Sequence, residues 1–185
     1  MAYKVNNEVR VAISGKSGCG NTTVSTILSE LLGIKLINFT FRQLAAEKGI
    51  TLADVIEQAK TDDSFDVTVD TRQVELALKE SCVLGSRLAI WMLKEADLKV
   101  YLYASDQTRA ERILNREGGN LEKIKEFTAM RDSEDSRRYK KLYNIDNNDY
   151  SFADMVIDTS KYKPEEIASL IADELVKRDL ISKAD

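Results

Sequence analysis

Histidine is absent from all 185 residues. That removes Ser-His-Asp and Cys-His arrangements, imidazole general bases and histidine-bearing metal sites together. Cysteine is scarce: Cys19 and Cys82 are the only two, which makes no disulfide framework and fits a reducing cytoplasm. There is a single proline, Pro164, and no inter-domain linker, internal repeat or low-complexity tract divides the chain. No apolar run approaches the ~20 residues of a membrane span and no signal-peptide pattern opens the chain, so a cytoplasmic protein with no membrane partner is expected. Positive charge is not in excess either. A net charge of −4 argues against nucleic acid or an anionic surface as partner. A polyanionic ligand would then need a local cluster of arginines and lysines. With 43% hydrophobic and 31% charged residues, what remains is an ordinary globular composition, expected as one domain over residues 1–185.

One stretch organises the chain. The apolar residues Val9, Val11, Ala12 and Ile13 lead into Gly15-Lys16-Ser17-Gly18-Cys19-Gly20-Asn21-Thr22-Thr23. Val24, Ile27, Leu28, Leu31 and Leu32 follow at helical spacing. Strand, glycine-rich turn and helix are the setting in which backbone N–H groups wrap a phosphate. The Walker A pattern, G-x-x-x-x-G-K-[ST], is met at Gly15, Gly20 and Thr22, but its lysine position holds Asn21. Thr22 is placed to ligate a phosphate-bound Mg²⁺. Lys16 is the nearest replacement cation, whereas Asn21 can donate a hydrogen bond but no charge. The plain alternative is a glycine turn with no ligand.

The rest of the chain alternates. Strands are expected at Lys35–Asn38, Cys82–Gly85, Leu98–Tyr103 and Met155–Asp158, with helices between them ended by Gly33, Gly49 and Gly118-Gly119 and opened by Thr51, Ser105 and Pro164. This predicts a three-layer α/β fold, a parallel sheet covered on both faces by helices. The segment Leu121–Leu142 is dense in charge, with Arg131, Arg137 and Arg138 among its cations. Taken alone it reads as a solvated helix laced with ion pairs. Arg109, Arg112 and Arg116 precede it on one helix, and Arg42 and Arg87 follow strand ends on the side of the glycine loop. Arginine suits such places because its planar fork grips two phosphate oxygens at once.

Seven further stretches carry a resemblance: Phe41-Arg42-Gln43-Leu44-Ala45, Asp70 to Ala77, Arg87 to Met92, Arg109 to Ile113, Arg116-Glu117-Gly118, Arg131 to Glu134 with Arg138-Tyr139, and Val156 to Ser160. With the loop, and in this order, the sequence resembles the archaeal-type cytidylate kinases, a branch of the P-loop nucleoside monophosphate kinases. The resemblance implies a five-stranded parallel sheet, an acceptor-binding region at about 39–80 and a helical lid at about 118–143. It implies transfer of the ATP γ-phosphoryl group to CMP or dCMP with Mg²⁺, in a monomer. ATP would lie on Gly15 to Thr23 with Arg112. Arg42, Asp70, Arg72, Gln73 and Arg87 would serve the acceptor. Lys16, Arg131, Arg137 and Arg138 would meet the transferring phosphate. Asp158 would touch a ribose or else cap the next loop.

Three departures from the family pattern stand out. The Walker lysine is Asn21. The acidic residue expected at the end of the third strand is Gly85, and the turn after the second strand is a short Asn38-Phe39-Thr40 without an acid. They give weight to a rival reading, a nucleotide-binding sensor with little transfer. Arginines retained for both donor and acceptor favour the enzyme.

Overall fold

The computed structural model describes residues 3–184. Its elements run β1 (Tyr3–Val5), β2 (Arg10–Ser14), α1 (Asn21–Leu32), β3 (Lys35–Ile37), α2 (Phe41–Lys48), α3 (Leu52–Ala59), α4 (Ser64–Ala77) and β4 (Cys82–Gly85). They continue with α5 (Ala89–Met92), β5 (Leu98–Tyr103), α6 (Asp106–Glu117), α7 (Leu121–Tyr143), β6 (Met155–Asp158), α8 (Pro164–Lys177) and β7 (Ile181–Lys183).

Five strands form one parallel sheet in the order β3-β4-β2-β5-β6. Strand β2 sits at its centre, pairing Ala12 with Leu84 on one side and Ile13 with Val100 on the other. Its side chains alternate between two cores, as the period of two requires. Val11 and Ile13 meet Val24, Leu28, Ile167 and Ile171 of α1 and α8. Ala12 meets Ala77, Ala89 and Ile90 of α4 and α5. A third cluster of Phe39, Leu44, Val55, Phe65 and Val69 joins α2, α3 and α4. The chain leaves β2 toward β3 on one side and later crosses to β5 on the other. That switch opens a crevice beyond the C-terminal end of β2.

The expected layers, sheet and helices are all present. Local pattern misleads in two places: the helical spacing running from Phe65 to Glu80 yields an α4 that stops at Ala77, and Leu170, at inward spacing with Ile167, Ile171 and Leu175, is exposed while Ala168 and Ala172 face in. Trp91 packs edge-on against Tyr101 at 6.1 Å, half-buried. A small antiparallel pair, β1 with β7, was not expected from the sequence. Each strand has three residues, too few to show alternation. No helix among the described residues is long and apolar enough to cross a membrane.

Candidate active site

The glycine loop is shaped by what lies against it. A Cβ on Gly15 would fall 2.5 Å from the Leu102 carbonyl oxygen, and one on Gly18 would fall 3.0 Å from that of Arg109. Gly20, at φ 97°, is the N-cap of α1 and brings no capping side chain. Among the described residues nothing accepts from the amides of Gly20, Asn21 or Thr22. A helix start with unpartnered N–H groups thus faces a cleft of about 550 Å³. This is an anion-binding geometry.

The three departures have local causes. The Asn21 side chain folds back, its Nδ2 donating to the Gly15 carbonyl at 2.7 Å. It closes the loop and does not reach along the cleft. Lys16 does line the cleft, with Nζ 3.9 Å from Asp132. Asp132 is held in turn by the buried Arg109 at 2.5 and 3.3 Å, which ties α7 to α6 beside the loop. At Gly85 a Cβ would collide with Ser25 Oγ on α1, so no side chain fits there while Ser25 faces it. The short turn runs straight into α2, where the Thr40 amide donates to Gln43 Oε1 at 3.0 Å.

Four arginines line the cleft, Arg87, Arg112, Arg116 and Arg138, and three of them are tied to groups around it. Arg87 donates to Asp135 of α7 at 2.5 Å. Arg138 pairs with Asp135 at 3.0 Å and with Asp66 of α4 at 3.1 Å, lying 5.1 Å over the Tyr139 ring. Arg112 bridges the Gly18 carbonyl at 3.2 Å to Thr159 beyond β6, whose Oγ1 and carbonyl accept at 2.8 and 2.7 Å. A phosphate entering the cleft competes for these same guanidinium forks. Opposite the loop, α4 presents Asp66, Asp70 and Gln73, one face at spacings of four and three. Burial pushes the Asp70 carboxyl up to about 6, against the lowering effects of a Tyr143 hydrogen bond (2.7 Å) and of Arg138.

The model of the cytidylate kinase-like family matches residues 10–161, the whole of the sheet and cleft just described. This chain belongs to that family. Cytidylate kinase 2 of Borreliella burgdorferi is 46% identical over 176 residues, spanning 93% of this chain and 98% of its own. The cytidylate kinase of Pyrococcus horikoshii is 40% identical over 163 residues, spanning 87% and 85%. Among solved structures, shikimate kinase from Acinetobacter baumannii in complex with shikimate superposes with a TM-score of 0.65 at 21% identity, covering 94% of this chain and 96% of that one. Deoxyadenosine kinase from M. mycoides with bound dATP gives a TM-score of 0.54 at 18% identity, covering 89% and 98%. Such structural likeness speaks for the fold alone.

Of the residues singled out in the sequence of this family member, Gly15, Lys16, Ser17, Gly18, Gly20, Asn21, Thr22, Thr23, Asp70, Gln73, Arg87, Arg112 and Arg138 line one cleft. Cys19 is buried behind the loop. Arg131 borders an adjoining cleft of about 300 Å³ that shares Ser17 with the first. Its guanidinium lies 5.8 Å over Phe127, and burial with the neighbouring Arg87 lowers its pKa.

Four of the residues stand apart from the cleft lining. Arg42 is exposed on α2, outside the cleft. Arg72 is held on the surface by Glu47 and Glu75 at 3.3 and 3.2 Å. Arg137 is exposed, one residue and so about 100° around the helix from Arg138. Asp158 takes the capping alternative, accepting from the Ser160 amide at 3.0 Å and hydroxyl at 2.6 Å. Asp66, which lines the cleft, and Asp135, Tyr143 and Thr159, which hold its arginines and Asp70, were not singled out. The spacing Asp66, Asp70, Gln73 carried a usable signal for the first of these.

Proposed function

We propose that this chain transfers the γ-phosphoryl group of ATP to CMP or dCMP, yielding ADP and CDP or dCDP. The observation that carries the reading is the convergence of Lys16, Arg87, Arg112 and Arg138 around a helix start with free amides in one cleft. ATP is assigned to the loop, with Gly15 to Thr22 on its phosphates and Arg112 alongside. The pyrimidine monophosphate is assigned to the region of about 39–80, and α7 to the lid of a single-domain monomer.

Mg²⁺ fits this donor set. Thr22 offers an exposed hydroxyl oxygen in the cleft, and no group of three His, Cys, Asp or Glu forms a cage among the described residues. That suits an ion whose other ligands are phosphate oxygens and water. Bound there, Mg²⁺ supplies charge neutralisation on the phosphates.

The protein's own part is positioning and electrostatics. The acceptor phosphate, with a second pKa of about 6, is largely ionised and needs little help from a general base. The loop amides hold the donor phosphates in place. Lys16 replaces the charge that Asn21 lacks. Arg87 and Arg138 leave Asp135 and Asp66 to grip the acceptor and the transferring group. Arg131 shares the lid helix α7 with Arg138, where closure would exclude water and favour transfer over hydrolysis.

A coupled assay with ATP, Mg²⁺ and a panel of monophosphates tests this. Turnover with CMP or dCMP supports the kinase. Nucleotide binding without turnover would leave the sensor reading, which the Asn21 and Gly85 departures favour.

A further inference from the structure

The acceptor side of the cleft holds a polar atom that nothing in the fold satisfies. Gln73 is buried, 7% exposed, on the cleft-lining face of α4. Its Nε2 donates to the Phe39 carbonyl at 2.9 Å. A carbonyl only accepts, so this bond fixes which end of the amide is nitrogen. Oε1 is therefore turned the other way, buried and without a partner among the described residues. A buried acceptor left unpaired is costly and calls for a donor.

Asp70 lies three residues earlier on the same face of α4 and also lines the cleft. One of its oxygens accepts from Tyr143, and the other has no partner among the described residues. Gln73 and Asp70 therefore each keep an acceptor free on this wall, while the Gln73 donor is taken by Phe39. Phe39, Phe41 and Val69 beside it supply apolar surface on which a flat ring can lie.

Two acceptors one helical turn apart match the two N–H bonds of an exocyclic amine. A keto oxygen in the same place would set lone pairs against lone pairs. We propose that Gln73 Oε1 and the Asp70 carboxylate read the amino group of the acceptor base. The cleft then admits a base with the 4-amino group of cytosine or the 6-amino group of adenine, and rejects one that sets a keto oxygen at that position, as uracil and guanine do. The proposal rests on the monophosphate kinase reading and adds what decides the base. A site built around hydrogen bonds to one group discriminates sharply, because the wrong base leaves its polar atoms unpaired.

The test compares kcat/KM for CMP, UMP, AMP and GMP in the wild type, Gln73→Met and Gln73→Glu. Gln73→Met keeps the volume and removes both the acceptor and the anchor on Phe39. Gln73→Glu loses the anchor but keeps an acceptor facing the cleft. Expected are CMP and AMP ahead of UMP and GMP, and a CMP-to-UMP ratio that falls about 10- to 100-fold in Gln73→Met. In Gln73→Glu that ratio should persist. A ratio unchanged in Gln73→Met, or lost equally in both variants, would overturn the proposal and leave Gln73 a structural anchor. Calorimetric binding of CMP and UMP separates the two readings. If no nucleotide turns over but CMP binds more tightly than UMP, and only in proteins with the acceptor, the kinase reading fails and this one stands. Equal binding of CMP and UMP would end it.

Discussion

The two sides of the cleft are built on different principles. The glycine loop is set by backbone packing: Gly15 against the Leu102 carbonyl, Gly18 against Arg109, and Asn21 bonded to the Gly15 carbonyl. Its amides are presented by contacts within the loop's own backbone surroundings. The lid and acceptor side is set by exchangeable ion pairs, with Arg87 on Asp135 and Arg138 on Asp135 and Asp66. Substitutions in the loop should therefore act on chemistry and fold alike. Substitutions on the other side should act on substrate affinity and specificity.

The largest effect is expected within the loop. Lys16→Ala should lower kcat by about 10²-fold or more, because it removes the cation assigned to the transferring charge. Asn21→Ala should lower it only about tenfold, through a loosened loop. Steady-state kinetics of the two variants checks this, and equal losses would refute the replacement of the Walker lysine by Lys16.

Next come the cleft arginines paired to Asp135. Arg87→Ala and Arg138→Ala should raise KM for CMP by about tenfold or more, each removing a charge-assisted contact. Arg42→Ala and Arg72→Ala should stay within about twofold, since surface arginines outside the site contribute little. Measuring KM for all four variants sharpens the contrast between cleft and surface.

Packing under the loop gives a stability effect. Gly85→Ala should cost about 1–3 kcal/mol by driving a methyl into Ser25. Ser25→Gly in the same chain should recover part of the loss, because the two sites share one space. Thermal melts of the single and double variants measure the coupling, and strict additivity would contradict it.

The smallest effect is a pH dependence. The folded-state pKa of Asp70, at about 6, is raised above its ordinary value by burial. Its contribution to stability is fully present below about pH 4 and is lost as pH rises through 6. Asp70→Asn removes that dependence. The Tm of the variant relative to wild type should climb by about 2–6 °C between acidic and mildly alkaline buffer. A difference that stays flat with pH would contradict the burial of an ionised Asp70.

How much was legible in advance follows the same division. The strands showed as short apolar runs, the helices as amphipathic stretches with glycine stops, and the loop as glycines close together in sequence. All are local features. The arginines were legible as a group but not one by one. Arg138 and Arg137 differ by a single position, and only the rotation of α7 tells which faces Asp66. Arg72 is drawn to Glu47, 25 residues away, a pairing that no local pattern announces. Tyr143 and Asp70 meet across 73 residues for the same reason. The Asn21 departure was visible at once, but its bond to the Gly15 carbonyl needed the turn's three-dimensional shape.

The most direct test of the account follows the label from γ-³²P ATP in a single turnover with CMP and Mg²⁺. The account predicts radioactivity in CDP. Label released as inorganic phosphate, or retained in bound ATP while CMP is also bound, would contradict transfer by a loop that carries asparagine in place of lysine.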